Sequence, residues 1–421
     1  MFQRGFFFKE NRNDMKKSFI FVSEDELYTK EKGYGFVNGE MLEGAEPMNI
    51  PALNSGFIPK DIEDVLPMPT MFKADVNHQG NFKVLIEAEN DGSDAQIFLE
   101  RRRMYYVGNF TGVAKFSFSV NVCDIIPEWK ERIYRDTDLD ISWVGEGFAI
   151  HSIEIKEFAC PTLFLAGDST VTDQPSDFPY SPGATYCGWG QMFPSFLNDT
   201  CAVSNHAHSG LTTETFRKEG HYSIVTQYIR PGDYFFIQFG HNDQKHEELR
   251  EDTGYRDNIV RYISEIRPQS GIPVLVTPLA RNSWKDGEYL DYLEKYAGEC
   301  VKISEEFDVP LLDLHALSMK LIKKTGMEDS RQYFHPGDYT HTNDYGAYLM
   351  ASYVAGEISR LSESSKNAVV KQLAGFLRKN VGVWEIDKDK LKMPKIRGCE
   401  ETPIEPYSIA MDRLDEILRR K

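Results

Sequence analysis

Cysteine is scarce in this sequence, and long apolar runs are missing. The six cysteines are scattered through 421 residues and form no CxxC pair, which excludes a disulfide scaffold and the usual zinc-binding spacings. No stretch approaches the roughly 20 apolar residues of a membrane-spanning helix. The apolar runs Phe6–Phe8 and Phe19–Val22 are too short for the core of a signal peptide. We therefore expect a reduced, cytoplasmic protein.

Positive charge is also in short supply. Lys and Arg number 48 against 65 Asp and Glu, which gives a formal net charge of -17 at pH 7. Nucleic acids and anionic membranes are polyanions that bind basic surfaces, so neither is an expected partner. The 41% of hydrophobic and 13% of aromatic residues suit packed cores rather than a disordered chain. The length predicts about two or three domains.

Up to about residue 158, apolar and polar residues alternate. Three stretches have this period of two: NFKVLIEAE (81–89), KFSFSVNV (115–122) and IHSIEIKEF (150–158). Such alternation is typical of half-buried strands, and we predict an antiparallel β-sandwich domain over residues 1–158. The basic run ERRRM (Glu100–Met104) is predicted to lie on a solvated strand face, with contact to a sugar carboxylate as the alternative.

The pattern changes after Cys160, where short apolar runs alternate with segments of helical periodicity. This alternation predicts an α/β domain over residues 159–362, with a parallel sheet covered by helices on both faces. A helical C-terminal extension is predicted over 363–421. The predicted strands are Leu163–Ala166, Ala202–Ser204, Tyr234–Phe239, Pro273–Val276 and Pro310–Leu314. The predicted helices are Tyr255–Ile266, Tyr289–Phe307, Asp344–Leu361, Ala368–Leu377 and Ile409–Leu418.

Polar residues suited to acyl transfer follow the predicted strands. Ser169 comes after the first strand, Gly210 after the second and Asn242 after the third, and Asp338 and His341 precede the last long helix of the domain. The carboxyl ends of parallel strands meet at one edge of a sheet, where ligands bind. Acyl transfer needs a serine, a histidine that takes its proton, a carboxylate that orients the histidine, and N–H donors for the oxyanion.

The blocks that carry these residues resemble one family of enzymes. FLAGDSTV, YCGWGQMF, SNHAHSG, FGHNDQ and DYTHTNDYGA are similar to the blocks of the SGNH (GDSL-like) hydrolase superfamily, and more narrowly of the rhamnogalacturonan acetylesterases. The resemblance spans about Pro161 to Ser359. The G-x-S-x-G elbow of the α/β-hydrolases is absent around Ser169. Residues 1–158 more loosely resemble the galactose-binding-like sandwich that precedes the esterase in some bacterial members.

The resemblance implies a flavodoxin-like three-layer α/β/α fold, no metal or other cofactor, and an acetylated pectic (rhamnogalacturonan-type) oligosaccharide as substrate. It implies that Ser169 is the nucleophile, His341 the general base and acid, and Asp338 the residue that orients His341. The N–H groups of Ser169 and Gly210 and the side-chain amide of Asn242 would form the oxyanion hole.

The chain departs from the family pattern directly after Gly210. Leu211 and Thr212 stand where a basic or small polar pair is usual, which leaves the recognition of an anionic galacturonate, and the polymer itself, open. Trp189 and Asn205 are candidates for binding the substrate, with core packing as the alternative for Trp189.

The roles of three further histidines stay open, and two alternative functions remain. His206 and His208 share a face of an extended segment, so they are candidates for metal ligands or for walls of a core or pocket. His335 is either a residue that supports the site or a surface residue. A metal-dependent phosphoesterase and a non-catalytic carbohydrate-binding protein are the alternative functions, and acetylated xylo-oligosaccharides are the alternative substrate. The oligomeric state is not predicted.

Overall fold

Two large β-sheets organise the chain in the computed structural model. The structure describes residues 2–8, 19–37, 70–100, 102–126, 132–145, 147–174, 186–364 and 367–379. An eight-stranded sheet occupies the N-terminal part, and a five-stranded sheet occupies the central part. The helix predicted at 409–418 lies outside the described residues. Among the helices within the described ranges, none is both long and apolar enough to cross a lipid bilayer.

The N-terminal sheet is largely antiparallel. Its strands are β1 (Gln3–Phe7), β2 (Ile20–Phe21), β3 (Tyr34–Phe36), β4 (Thr70–Asp75), β5 (Gly80–Leu99), β6 (Arg103–Val122), β7 (Asp138–Val144) and β8 (Ala149–Glu157). They pair in the order β2-β1-β8-β5-β7-β4-β3, and β6 pairs with the other side of β5. β1 and β2 run parallel, whereas the other pairs are antiparallel. The three stretches with a period of two therefore form antiparallel strands, as predicted.

One long strand, β5, bends and takes part in both halves of this sheet. Its first half pairs with β8, and its last four residues pair with β7. Between the halves the register shifts between Asp91 and Asp94, and Gly92 adopts a φ of +105°, which residues with a Cβ rarely adopt. The two halves of the sheet face each other. This is shown by the contact between Phe6 of β1 and Phe72 of β4, whose ring centroids are 4.9 Å apart. A single folded sheet encloses the N-terminal core, and its galactose-binding-like class stays a prediction.

The basic run ERRRM does not lie on a solvated strand face. Glu100 and Arg102 lie between β5 and β6, Arg103 begins β6, and Arg101 lies outside the described residues. The side chains of Glu100, Arg102 and Arg103 are each only 4% exposed. The prediction is wrong because the guanidinium groups are paired with acceptors far away in the chain, which local alternation of apolar and polar residues does not reveal.

The central sheet is parallel and is covered on both faces. The strands after residue 160 are β9 (Thr162–Gly167), β10 (Ala202–Asn205), β11 (Tyr234–Gln238), β12 (Ile272–Val276), β13 (Trp284–Lys285), β14 (Glu288–Tyr289) and β15 (Leu311–Leu312). The parallel order is β10-β9-β11-β12-β15, and β13 and β14 form a separate hairpin. Leu163 and Leu165 of β9 join one apolar core, whereas Phe164 and Ala166 join another, as expected when alternate side chains point to opposite buried faces. The predicted three-layer α/β/α fold is confirmed.

The helices cover these two faces. They are α1 (Trp189–Met192), α2 (Thr215–Lys218), α3 (His221–Tyr228), α4 (Arg256–Ile266), α5 (Glu294–Phe307), α6 (Leu314–Thr325), α7 (Met327–Ser330), α8 (Asp344–Ser364) and α9 (Ala368–Ala374). The helix predicted to begin at Tyr289 begins at Glu294 instead, because the hairpin β13–β14 occupies residues 284–289. The turn of this hairpin is Asp286-Gly287, with φ of +51° and +82°, and Asp-Gly favours such two-residue turns.

The C-terminal extension packs onto the central sheet. Leu373 and Phe376 belong to the same apolar core as α8, and the ring of Phe376 meets that of Tyr234 with centroids 5.8 Å apart. Arg378 donates a hydrogen bond to the backbone oxygen of Tyr105 in β6. This segment therefore contacts both parts of the chain. The predicted domain limits at 158 and 362 stay predictions.

The buried ring of Phe72 gives a test of the folded N-terminal sheet. Phe72 is fully buried and contacts the rings of Phe6, Phe8 and Phe36. We expect Phe72→Ala to lower the free energy of unfolding by about 3–5 kcal/mol, because it removes buried apolar surface and leaves a cavity. Urea denaturation followed by tryptophan fluorescence measures the loss. Phe21→Ala is the control, since that ring is 45% exposed; equal losses in both variants would contradict this core.

Candidate active site

The turn after β9 presents Ser169 at the carboxyl edge of the central sheet. Asp168 is fully buried, and its carboxylate accepts hydrogen bonds from the backbone N–H and the hydroxyl of Thr170 at 2.9 and 2.8 Å. The N–H groups of Val171 and Thr172 donate to the backbone oxygen of Asp168. These bonds fix a tight turn, and Ser169 within it is 7% exposed.

A chain of hydrogen bonds joins Ser169, His341 and Asp338. The Oγ of Ser169 is 2.8 Å from Nε2 of His341, and Nδ1 of His341 is 2.7 Å from Oδ2 of Asp338. The second carboxylate oxygen of Asp338 accepts from the backbone N–H groups of Thr340 and His341. Because Nδ1 faces a carboxylate, it carries the proton, and the lone pair of Nε2 points at the serine hydroxyl. The structure thus brings together the three residues that the sequence predicts to meet.

The carboxyl group of Asp338 stays ionised at ordinary pH values. Burial raises its pKa, but the hydrogen bond and charge of His341, together with the N–H donors of His341 and Thr340, outweigh burial and hold the pKa at about 2. An ionised carboxylate beside Nδ1 stabilises a positively charged imidazole. His341 is therefore equipped to accept the proton of the Ser169 hydroxyl.

Stacked rings support the loop that carries Asp338 and His341. The ring of Tyr186 stacks on that of His335 with centroids 3.7 Å apart, and it meets the ring of His341 edge-on at 5.6 Å. The N–H of His335 donates to the backbone oxygen of His341 at 3.0 Å, and the N–H of Asp338 donates to the backbone oxygen of His335 at 2.8 Å. His335 therefore supports the site, which was one of the two alternatives for this residue.

Gly210 and Asn242 follow β10 and β11, the strands on either side of β9, so their loops open at the same edge as Ser169. Gly210 has a φ of +81° and open space where a side chain would stand, so no Cβ stands between its backbone and an approaching group. Nδ2 of Asn242 donates to the backbone oxygen of Leu211 at 3.0 Å, and Oδ1 accepts from Nζ of Lys245 at 2.8 Å. An amide NH₂ carries two hydrogens, and these bonds use one. The assignment of both residues to an oxyanion hole stays a prediction.

The two residues that depart from the family pattern serve packing and helix initiation. Leu211 is 2% exposed and lies in the apolar core with Phe216. The hydroxyl of Thr212 lies 3.1 Å from that of Thr215, the first residue of α2. This stretch therefore offers backbone groups, rather than these two side chains, to a ligand.

Trp189 and Asn205, the two candidates for substrate contact, are interior residues. Each is 1% exposed. Nε1 of Trp189 donates to Oε1 of Gln238 at 2.8 Å, and Nδ2 of Asn205 donates to the backbone oxygen of Val171 and to Oδ1 of Asp173 at 2.9 and 2.8 Å. The prediction of substrate contact is wrong for both residues, because their polar groups are used inside the protein. Trp189 takes the alternative role of core packing.

The two histidines of the SNHAHSG block have local partners. Nε2 of His206 lies 2.9 Å from Oγ of Ser204, and Nδ1 of His208 lies 3.1 Å from the backbone oxygen of Ser209. The ring of His206 also stacks on Phe164 in the core. Within the described ranges, no group of three or more His, Cys, Asp or Glu side chains is arranged to hold a metal ion. The ligand set that the phosphoesterase alternative needs is thus not found in this part of the chain.

One buried cluster at the site is not predicted from the sequence. His241 lies between Asp168, with Nδ1 3.2 Å from Oδ2, and the backbone oxygen of Leu279, 2.8 Å from Nε2. Burial raises the pKa of Asp168, but the charge and hydrogen bond of His241 and the donors of Thr170 lower it to about 2. Arg281 donates hydrogen bonds to the backbone oxygen of His241 and to the hydroxyl of Thr340, in the loop that carries Asp338 and His341. The signal in the sequence is a histidine directly after a buried strand, in GHND.

The depressed pKa of Asp338 gives a pH-dependent test. A folded-state pKa of about 2 lies below the usual 3.8, so the carboxylate stabilises the folded state by about 2 kcal/mol above pH 4. This contribution is lost as the pH falls from about 4 to 2, because the carboxylate then binds a proton. We expect Asp338→Asn to melt below the wild type at pH 6, with a difference that shrinks toward pH 3. Asp308→Asn, at an exposed position, is the control; a pH-independent difference for Asp338→Asn would contradict the depressed pKa.

Known proteins match the part of the chain that contains this site. The model of the GDSL-like lipase/acylhydrolase family matches residues 165–347. Rhamnogalacturonan acetylesterase RhgT and probable rhamnogalacturonan acetylesterase YesY of Bacillus subtilis (strain 168) are each 33% identical to half of this chain, over 94% and 98% of their own lengths. The crystal structure of protein YxiM from Bacillus subtilis is 24% identical and covers 85% of this chain and 98% of its own, with a TM-score of 0.46. Because the match spans nearly all of RhgT, this chain belongs to the GDSL-like lipase/acylhydrolase family and is a serine esterase.

Proposed function

We propose that this esterase is a carbohydrate O-acetylesterase that removes acetyl groups from pectic, rhamnogalacturonan-type oligosaccharides. The observation that carries the chemistry is the line of hydrogen bonds from Ser169 through His341 to Asp338. The similarity to RhgT over 94% of that protein supports an acetyl ester on a pectic sugar as the substrate.

The first half of the reaction transfers the acetyl group to Ser169. Nε2 of His341 takes the hydroxyl proton while Oγ attacks the acetyl carbonyl carbon, and the carbonyl oxygen becomes an oxyanion. The N–H groups of Ser169 and Gly210 and the amide of Asn242 donate hydrogen bonds to this oxyanion. When the tetrahedral intermediate collapses, the bond from carbon to the sugar oxygen breaks, and His341 gives its proton to that oxygen.

The second half releases acetate. His341 removes a proton from water as the water oxygen attacks the acyl carbon, the bond to Oγ breaks, and Ser169 recovers its proton from His341. Asp338 stays ionised throughout because its pKa is about 2. Its role is therefore to hold the imidazole in one tautomer and to stabilise its positive charge.

A positive charge beside the proposed oxyanion donors supports an acidic sugar as substrate. Lys245 is exposed, and its ammonium group donates to Oδ1 of Asn242 at 2.8 Å. Leu211 and Thr212 offer no charge nearby, and we assign to Lys245 the contact with a galacturonate carboxylate next to the acetylated ring.

Replacement of Ser169 tests the reaction. Ser169→Ala is expected to lower kcat for 4-nitrophenyl acetate by at least about ten-thousand-fold, because the variant has no nucleophile. Release of 4-nitrophenolate in the presence of EDTA measures this, and a fluorophosphonate should add one adduct to the wild type and none to the variant. Ser264→Ala, at an exposed position on α4, should keep full activity. Turnover that survives in Ser169→Ala, or that EDTA abolishes in the wild type, would contradict the mechanism.

A pair of acetylated oligosaccharides tests the substrate. We expect a higher kcat/KM for acetylated rhamnogalacturonan oligosaccharides than for neutral acetylated xylo-oligosaccharides, measured as acetate release. Lys245→Met should lower kcat/KM for the acidic substrate about tenfold and for the neutral one much less, because it removes one charge pair. Lys218→Met, which removes an exposed lysine on α2, is the matched control. An equal loss on both substrates would remove the assignment of Lys245, and faster turnover of the xylo-oligosaccharide would remove the pectic substrate.

A further inference from the structure

The tip of the β5–β6 hairpin, defined by Glu100, Arg102 and Arg103, reaches from the N-terminal sheet into the esterase part of the chain. Arg102 and Arg103 are each 4% exposed. Their guanidinium groups donate hydrogen bonds to acceptors that lie beyond residue 160. These acceptors include the backbone oxygens of Tyr186 and Val203 and the side chains of Asp173 and Gln191.

Arg103 forms a buried ion pair with the segment that follows Ser169. Its Nε lies 2.8 Å from Oδ2 of Asp173, with the two side chains 4% and 0% exposed, and its Nη1 donates to the backbone oxygen of Val203 at 2.9 Å. Oδ1 of Asp173 accepts from Nδ2 of Asn205, which also donates to the backbone oxygen of Val171. A buried charge without its partner is costly, so this arrangement fixes the chain at positions shortly after the proposed nucleophile.

Arg102 reaches the same segment by a second route. Its Nη2 lies 3.4 Å from Oε1 of Gln191 and 3.1 Å from the backbone oxygen of Tyr186. Nε2 of Gln191 donates to the backbone oxygen of Gln174 at 3.3 Å, and Nε2 of Gln174 donates to the backbone oxygen of Ser169 at 2.8 Å. The ring of Tyr186 also contacts the imidazole that faces the serine hydroxyl. Hydrogen bonds therefore connect the hairpin tip to the backbone of Ser169, and a ring contact of Tyr186 connects it to His341.

We propose that this hairpin tip is a positioning element of the esterase, through which the N-terminal sheet fixes residues 169–174. The proposal rests on the proposed role of Ser169 as nucleophile. Both routes end on groups that flank the reacting atoms, so Arg102 and Arg103 set where Oγ lies and take no part in bond making. A displacement of a reacting atom by about 1 Å costs on the order of a hundredfold in rate.

A positioning role and a packing role have different kinetic signatures. If the tip only held the two parts of the chain together, its loss would lower stability and leave the folded enzyme as active as before. If the tip positions Ser169, its loss lowers kcat for a small neutral ester and changes KM little, because such an ester does not contact the tip. The rate of phosphonylation falls with kcat, since both depend on the alignment of Ser169 with His341.

The test uses the full chain with Arg103→Met and Asp173→Asn combined, which removes the ion pair without leaving a lone buried charge. We expect kcat for 4-nitrophenyl acetate to fall about 10- to 100-fold, KM to change less than about twofold, and phosphonylation to slow in parallel. Arg103→Lys keeps the charge opposite Asp173 but loses the planar guanidinium that also donates to Val203, so its kcat should fall less than that of the double variant. All rates are measured well below the melting temperature of each variant.

Arg256→Met is the matched control, because Arg256 pairs with the buried Glu299 and joins α4 to α5. It should lower the melting temperature and leave kcat unchanged. A folded double variant with wild-type kcat and labelling rate would overturn the proposal. If the double variant does not fold, Arg102→Met decides, since a lowered kcat supports the positioning role and an unchanged kcat overturns it. Activity in Ser169→Ala would instead remove the proposed function, so the two failures are distinguishable.

Discussion

The hydrogen bond between Oγ of Ser169 and Nε2 of His341 joins residues that lie 172 positions apart in the chain. Its geometry depends on two loops that are each fixed by their own contacts. The carboxylate and backbone oxygen of Asp168 hold the first loop, and Asp338 with the stacked ring of His335 holds the second. The central sheet brings these loops to one edge, so little rearrangement is needed when charge develops during the reaction.

Much of this arrangement could be predicted from the sequence, because the determining signals are local. A strand with a continuous apolar run, such as Leu163–Ala166 of β9, implies burial on both faces and therefore a parallel sheet between helices. Once that sheet is predicted, Ser169, Gly210 and Asn242 fall at one edge because each follows a strand, whereas His341 follows no strand and is placed there by the resemblance. The hairpin that precedes α5 also has a local signal in the sequence, the Asp-Gly pair at residues 286–287, which favours a two-residue turn.

The incorrect predictions for three side chains share one physical cause. Trp189, Asn205 and Arg103 are polar or amphipathic side chains near the site or on a regular strand, and their hydrogen-bond partners come from distant elements. Arg103 pairs with Asp173, 70 positions away, and no pattern of period two reveals such a partner. Burial of a polar group is decided by the availability of a partner in the folded chain. The sequence around each group does not contain that information.

The contact between Arg103 and Val203 protects an edge strand of the central sheet. Strand β10, which contains Val203, is at the edge of the central sheet, and an edge strand offers its backbone groups to strands of other chains. Here Nη1 of Arg103 donates a hydrogen bond to the backbone oxygen of Val203, and all four residues of β10 are buried. The N-terminal sheet thereby covers part of an edge strand that would otherwise offer its backbone groups to strands of other chains.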